Sequence, residues 1–207
     1  MKKNLNIVIA GLGAVGSATI KLIEKNKGIF SVKSGLDIKI LGIFAKNKSK
    51  KRTFNKNKYK WFDNPIKMIK QNDVDAVVEL IGGEKGIAKK ICYQTLKSKK
   101  NLITANKALL AHEGYKMAKI AEENNVKIGF EASVAGGIPI ISTLKRSFKG
   151  IKINKITGIL NGTSNFILTN MLEEKNEFKT SLKKAQRLGY AERQPENDLN
   201  GLDTLHK

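Results

Sequence analysis

"GLGAVG", residues 11–16, follows directly on the apolar run Leu5-Asn6-Ile7-Val8-Ile9-Ala10. The glycines at 11, 13 and 16 fit the G-x-G-x-x-G spacing at the junction of a candidate strand and a helix beginning by about Ala14. In that setting Gly11 permits a sharp turn, Gly13 lets the backbone approach a phosphate, and Gly16 allows close packing of helix on sheet. The helix N-terminus adds unpaired N–H groups and a partial positive charge. Gly11, Leu12, Gly13, Ala14, Val15 and Gly16 therefore read as a cradle for the pyrophosphate of a dinucleotide.

Outward from this loop, apolar runs alternate with helical periods as far as residue 131. Strands are expected at Leu5–Ala10, Ile38–Phe44, Ala76–Ile81, Leu102–Thr104 and Val126–Phe130, several of them continuous apolar stretches suited to burial on both faces. Between them, Val15, Thr19, Leu22 and Ile23 share one face of a first helix. Ala118, Ala121 and Glu122 continue another, which ends near Asn124-Asn125. Strand and helix in this alternation predict a Rossmann-type doubly wound parallel α/β sheet over residues 1–131. Past Glu131 comes the glycine-rich "SVAGGIPI" (133–140), with its proline just inside a helix. An alternating stretch, Ile151-Ile153-Ile156, predicts a strand over 151–160. The polar loop "NGTSN" (161–165) and helical patterns at 166–174 and 178–188 follow. Residues 132–207 are expected as a second, incomplete α+β domain for substrate and dimerisation.

The chain has 207 residues, 41% of them hydrophobic, enough for a sizeable core. No apolar stretch is long enough to cross a bilayer. The start Met1-Lys2-Lys3 leads into a short apolar run and a glycine turn, which argues against a signal peptide. One cysteine, Cys92, excludes an internal disulfide and a cysteine zinc cluster and suits a reducing, cytoplasmic setting. The formal charge of +21 raises the question of a nucleic-acid partner. The lysines are nevertheless spread along the chain and aromatics amount to 6%, so no dedicated nucleic-acid site is expected. Beyond the second strand an acid would bind the ribose of NAD. Phe44-Ala45 runs instead into "KNKSKKR" (46–52), where Lys46, Lys48 or Arg52 could meet the 2′-phosphate of NADP; NAD stays open, as does a plain solvated loop.

Further motifs appear in order: "VVELIGG" (77–83), "ITANKALLAHEG" (103–114), "FEASVAGGIPII" (130–141), "GILNGTSNFIL" (158–168), "AQRLGYAE" (185–192) and "DLNGLDTLHK" (198–207). Together they closely resemble the homoserine dehydrogenase family over nearly the whole chain. The resemblance implies reduction of L-aspartate 4-semialdehyde to L-homoserine with NADPH or NADH, on the route to threonine and methionine. It makes Lys207 the catalytic acid–base lysine and Asp203 a catalytic, substrate-contacting aspartate. The two are four residues apart and share a helix face, which otherwise reads as an ordinary salt bridge. It further implies Glu192 at the substrate amino group, Gly189 with backbone close to substrate, and Asp198 near the hydroxyl end. Lys107 lies between nicotinamide and substrate, and Thr104 and Ala105 belong with it on the cofactor side. Main-chain carbonyls of Glu131, Val134, Gly136 and Ile138 match a structural Na+ site, for which carbonyl oxygens are suited. A homodimer through the 151–160 strand is also implied.

The other residues read blandly. Cys92 is a small buried hydrophobe, His112 and His206 are too far apart in sequence to suggest a metal site, and Trp61 anchors a loop by packing. Gln194 departs from the family's usual acid. The chain ends at Lys207 where family members continue, so a C-terminally incomplete protein is expected. The competing readings are another amino-acid or semialdehyde dehydrogenase of the same fold, and a catalytically incomplete nucleotide-binding fragment.

Overall fold

The computed structural model describes residues 3–207; Met1 and Lys2, the basic start weighed above as a leader, lie outside the described residues. In chain order the elements are β1 (Lys3–Ala10), α1 (Ala14–Lys25), α2 (Lys27–Ser34), β2 (Leu36–Phe44), β3 (Lys60–Trp61), α3 (Pro65–Ile69), β4 (Ala76–Glu79), α4 (Gly86–Lys97), β5 (Asn101–Thr104) and α5 (Lys107–Glu123). Then come β6 (Ile128–Gly129), α6 (Ile140–Arg146), α7 (Gly162–Glu173), α8 (Phe178–Leu188), α9 (Glu196–Leu199) and α10 (Leu202–Leu205).

The strands form one sheet in the order β3-β2-β1-β4-β5-β6, every neighbouring pair parallel. The order reverses direction between β1 and β4, and in such sheets ligands bind beyond the carboxyl ends of the strands at that point. β3, absent from the sequence reading, is a two-residue strand pairing Lys60 and Trp61 with Gly42 and Ile43. It is too short to leave a period. β1 and β4 show why the central strands are apolar throughout. Val8, Ala10 and Val77 face one layer with Met68, Ile69 and Ile91, while Ile7, Ile9, Ala76 and Val78 face the other with Ile20. Successive side chains alternate across a strand, so a strand covered on both faces needs apolar residues at every position.

The inward face of α1 overlaps the expected one only in part: Ile23 packs on the core and Thr19 is half-buried. Val15 and Leu22 are exposed, and the buried stripe is Gly16, Ser17 and Ile20. Small residues are what close approach of this helix requires, so counting apolar residues alone misplaces part of the face. In α5 the inward residues are Leu109, Met117 and Ala121, with Ala118 and Glu122 exposed. The helix gives way to Asn124-Asn125, with Asn125 in the left-handed region at φ +53°.

The chain divides into two compact units, Met1–Gly137 and Ile138–Lys207. In the second, α7 and α8 pack through Ile167, Ala185 and Ala191, with Phe166, Met171 and Leu182 around them. The strand expected over 151–160 forms no ladder among the described residues, and Ile151, Ile153, Ile156 and Ile159 are exposed. An alternating pattern specifies a strand only where a neighbouring strand takes up its N–H and C=O groups. No helix of the described residues is long and apolar enough to cross a membrane.

Candidate active site

The glycine loop adopts the geometry its sequence requires. Gly11 lies at φ +101°, and a Cβ there would stand 2.4 Å from the Leu80 carbonyl carbon. A Cβ on Gly16 would meet the Gly11 carbonyl oxygen at 1.9 Å. Gly16 therefore lets the helix close onto the loop itself. Around Gly13, by contrast, a Cβ would find open space. Gly13 caps α1 with no side-chain cap at its start, leaving the first-turn N–H groups directed to the loop side.

A cleft of about 390 Å³ opens here, between Gly13, Ala14 and Ser17 on one side and Lys50, Lys51, Arg52 and Thr53 on the other. The Arg52 guanidinium is held by the carbonyls of Asn47 (2.6 Å) and Lys50 (2.7 Å) and lies 5.2 Å from the centre of the Trp61 ring. Trp61 in turn donates to Asp63 at 3.1 Å. The basic loop is thus folded around its arginine, as the packing role read for Trp61 requires. Lys46 is exposed just beyond β2, while Lys50, Lys51 and Thr53, not singled out in the sequence, wall the cleft.

At the carboxyl ends of β4 and β5 a buried acid organises two loops. Glu79, with no exposed surface, accepts from the N–H groups of Ile81 (2.7 Å) and Gly82 (3.0 Å) and from the Thr104 hydroxyl (2.7 Å). The Thr104 oxygen accepts from Asn106 N–H at 3.0 Å, and the Asn106 amide donates to Gly83 O at 2.7 Å while capping α5. Ala105 and Lys107, the first residue of α5, are carried on this scaffold. Its only sequence signal is a lone acid closing an apolar strand before two glycines. Burial first, and then the Glu79 charge, push the Cys92 thiol above its ordinary range; its sulfur stands 3.9 Å from Glu79 Oε2.

Within the second unit the predicted acids and lysine come together around a residue the sequence reading passed over. The buried amide of Asn161 donates to Asp198 Oδ1 at 2.7 Å and to Asp203 Oδ2 at 2.8 Å. Its oxygen accepts from Ser164 N–H at 2.7 Å and so caps α7. Lys207 Nζ lies 2.8 Å from Asp203 Oδ2, with both side chains largely covered (21% and 15% exposed), and it also donates to the Leu160 carbonyl. The i, i+4 spacing is realised, in a setting less solvated than an ordinary helix-surface pair. Ser164 Oγ donates to Asp198 O at 2.9 Å, which ties α9 to α7.

Gly189 ends α8 in the left-handed region at φ +81°, where glycine is free of strain. Tyr190 stacks on Phe166 at 4.5 Å and its carbonyl accepts from Thr163, so this stretch lies against α7. Glu192 is exposed; its carbonyl accepts from Gln186, and its side chain is not part of the Asn161 cluster. Glu131 opens a 3-10 turn, Glu131–Ser133; Val134 and Gly136 close the first unit, and Ile138 begins the second. His112 pairs with Glu84 at 2.9 Å, and no cluster of His, Cys, Asp and Glu suited to a metal occurs among the described residues.

Comparison with known proteins places this geometry in a lineage. Residues 11–131 match the family model described as "Homoserine dehydrogenase, NAD binding domain", and residues 139–207 match that described as "Homoserine dehydrogenase". The homoserine dehydrogenase of Helicobacter pylori is 42% identical over 100% of this chain and 48% of its own length. A crystal structure of the S. aureus enzyme superposes with a TM-score of 0.83 at 40% identity, over 99% of this chain and 48% of that one. For the homoserine dehydrogenase of Thiobacillus denitrificans the TM-score is 0.86 at 35% identity, over 99% and 47%. The chain spans about half the length of the curated relatives it matches. With the glycine loop in one unit, the Asp198–Asp203–Lys207 cluster in the other, and both halves matched in order, the chain belongs to the homoserine dehydrogenase family.

Proposed function

We propose that this chain interconverts L-homoserine and L-aspartate 4-semialdehyde with a nicotinamide coenzyme, using Lys207 as the acid–base group. The observation that carries this reading is the cluster in which the Lys207 ammonium is held against Asp203 and, through Asn161, beside Asp198. The bound coenzyme supplies or accepts a hydride. As hydride reaches C4 of the semialdehyde, Lys207 Nζ gives a proton to the carbonyl oxygen; in oxidation the neutral amine takes the alcohol proton. Asp203 orients that amine and contacts substrate. Glu192 takes the substrate ammonium, Asp198 lies toward the hydroxyl end, Gly189 brings backbone close, and Lys107 serves between nicotinamide and substrate.

The residues of the first unit fit the coenzyme. Open space at Gly13, the uncapped start of α1 and the adjoining basic cleft suit a pyrophosphate and a further phosphate. Leu12, Thr104 and Ala105 complete that side. Lys46, Lys50, Lys51 and Arg52 favour NADP, with NAD as the alternative. Main-chain carbonyls of Glu131, Val134, Gly136 and Ile138 are a donor set suited to Na+ in a structural role. A homodimer through residues 151–160 and a cytoplasmic setting complete the reading.

The test is homoserine-dependent reduction of NADP, with NAD in parallel, by this chain and by Lys207→Ala. We expect Lys207→Ala to lower kcat by roughly 100-fold or more, as loss of an acid–base group does. Replacing Lys50 and Lys51 by alanine should raise KM for NADP and leave that for NAD nearly unchanged. Turnover of other aldehydes with homoserine inert would assign the chain to another dehydrogenase, and coenzyme binding without turnover would make it a nucleotide-binding fragment.

A further inference from the structure

We infer that Asn161 is a positioning residue for the Lys207–Asp203 pair, and that its side-chain NH₂ serves to bridge Asp198 and Asp203. This rests on the acid–base reading of Lys207 above. Asn161 caps α7 through its oxygen alone, and aspartate, serine or threonine would do that equally well. Capping therefore does not account for an asparagine. Its two N–H hydrogens are spent elsewhere, one on Asp198 Oδ1 and one on Asp203 Oδ2. A neutral residue that accepts once and donates twice fills the place between two carboxylates and a helix start without adding charge. Asp203 Oδ2 is also the atom that meets Lys207 Nζ at 2.8 Å, so the oxygen that Asn161 holds is the one that places the amine. The charged groups facing the amide are Asp198 from α9, Asp203 from α10 and Lys207 just beyond it. Asn161 is buried, so its donors cannot turn to water if a partner is lost.

The variant that separates the two roles is Asn161→Asp, which keeps the cap but replaces the double donor with a third carboxylate. On this 207-residue chain its thermal midpoint should fall near pH 8, where three carboxylates meet, so turnover is compared at a temperature at which both chains are folded. Near pH 8 its kcat for homoserine oxidation should fall roughly 10- to 100-fold, with KM for the coenzyme unchanged. Relative to wild type, the deficit should shrink as pH falls from about 9 to about 6, because the introduced carboxyl regains a proton and can donate again. Asn161→Asp tracking wild type at every pH would overturn the inference. Independently of turnover, the rate of Lys207 acetylation by acetic anhydride, relative to the exposed Lys152, is read by mass spectrometry. The added negative charge keeps the amine protonated, so Lys207 should react roughly three- to tenfold more slowly in Asn161→Asp. An unchanged rate refutes the positioning role. Wild-type inactivity with the labelling shift present would sink the proposed reaction and leave this arrangement standing.

Discussion

Glu79 and Cys92 form a buried pair at the heart of the first unit, where burial first and then the acid's charge hold the thiol protonated. Glu79 has its hydrogen-bonding capacity taken by Ile81, Gly82 and Thr104, so the carboxylate stays put with Cys92 against it. Burial and the nearby negative charge both disfavour the thiolate, which is the reactive form. Cys92 in the folded chain should therefore resist a disulfide reagent such as Ellman's over hours at pH 8, and react fully once urea unfolds the protein. Rapid labelling under native conditions would show that the Glu79 environment is open.

Elements are joined in this fold by a few ionic contacts as well as by apolar packing, and the α4–α5 contact is the clearest. Glu113 on α5 receives Lys89 at 2.8 Å and the Tyr93 hydroxyl at 2.5 Å, both from α4. These hydrogen bonds, Lys89 first, hold the Glu113 carboxyl down at about 2 against an ordinary 4.5. Burial and then the bond to Glu113 push the Tyr93 phenol up to about 12. A depressed carboxyl stabilises the fold above its unfolded value, and that contribution is lost as pH falls from 4.5 toward 2. Comparing thermal midpoints of wild type and Glu113→Gln across that window should give a gap that is largest near neutrality and closes at the acid end. A gap independent of pH would mean that the substitution acts through packing alone.

For the molecule as a whole the net charge of +21 is the dominant electrostatic fact. Basic residues outnumber acids 39 to 18, and the mutual repulsion of that excess opposes compaction. Salt screens such repulsion over about 10 Å at 0.1 M. The thermal midpoint should therefore rise when NaCl is increased from about 20 to about 200 mM. A falling midpoint would show that the ion pairs, Lys89–Glu113 and Lys207–Asp203 among them, outweigh the repulsion of the excess positive charge.

What the sequence determined by itself is what depends on local chemistry. The glycine loop and the apolar runs of β1 and β4 announce themselves because a tight turn and a doubly covered strand each demand particular residue types. The ordered motifs carried the family and, with it, Lys207 and Asp203. Tertiary structure alone decided the rest. Val15 and Leu22 lost the inner face of α1 because Gly16 and Ser17 allow a closer approach than larger side chains could. Residues 151–160 alternate as a strand does, yet a strand exists only where a partner takes its hydrogen bonds. Asn161 stands 37 and 42 residues from the acids it bridges, and Glu79 25 from Thr104. Those separations carry no periodic signal, since it is the return of the chain that brings a lone polar residue to its partners.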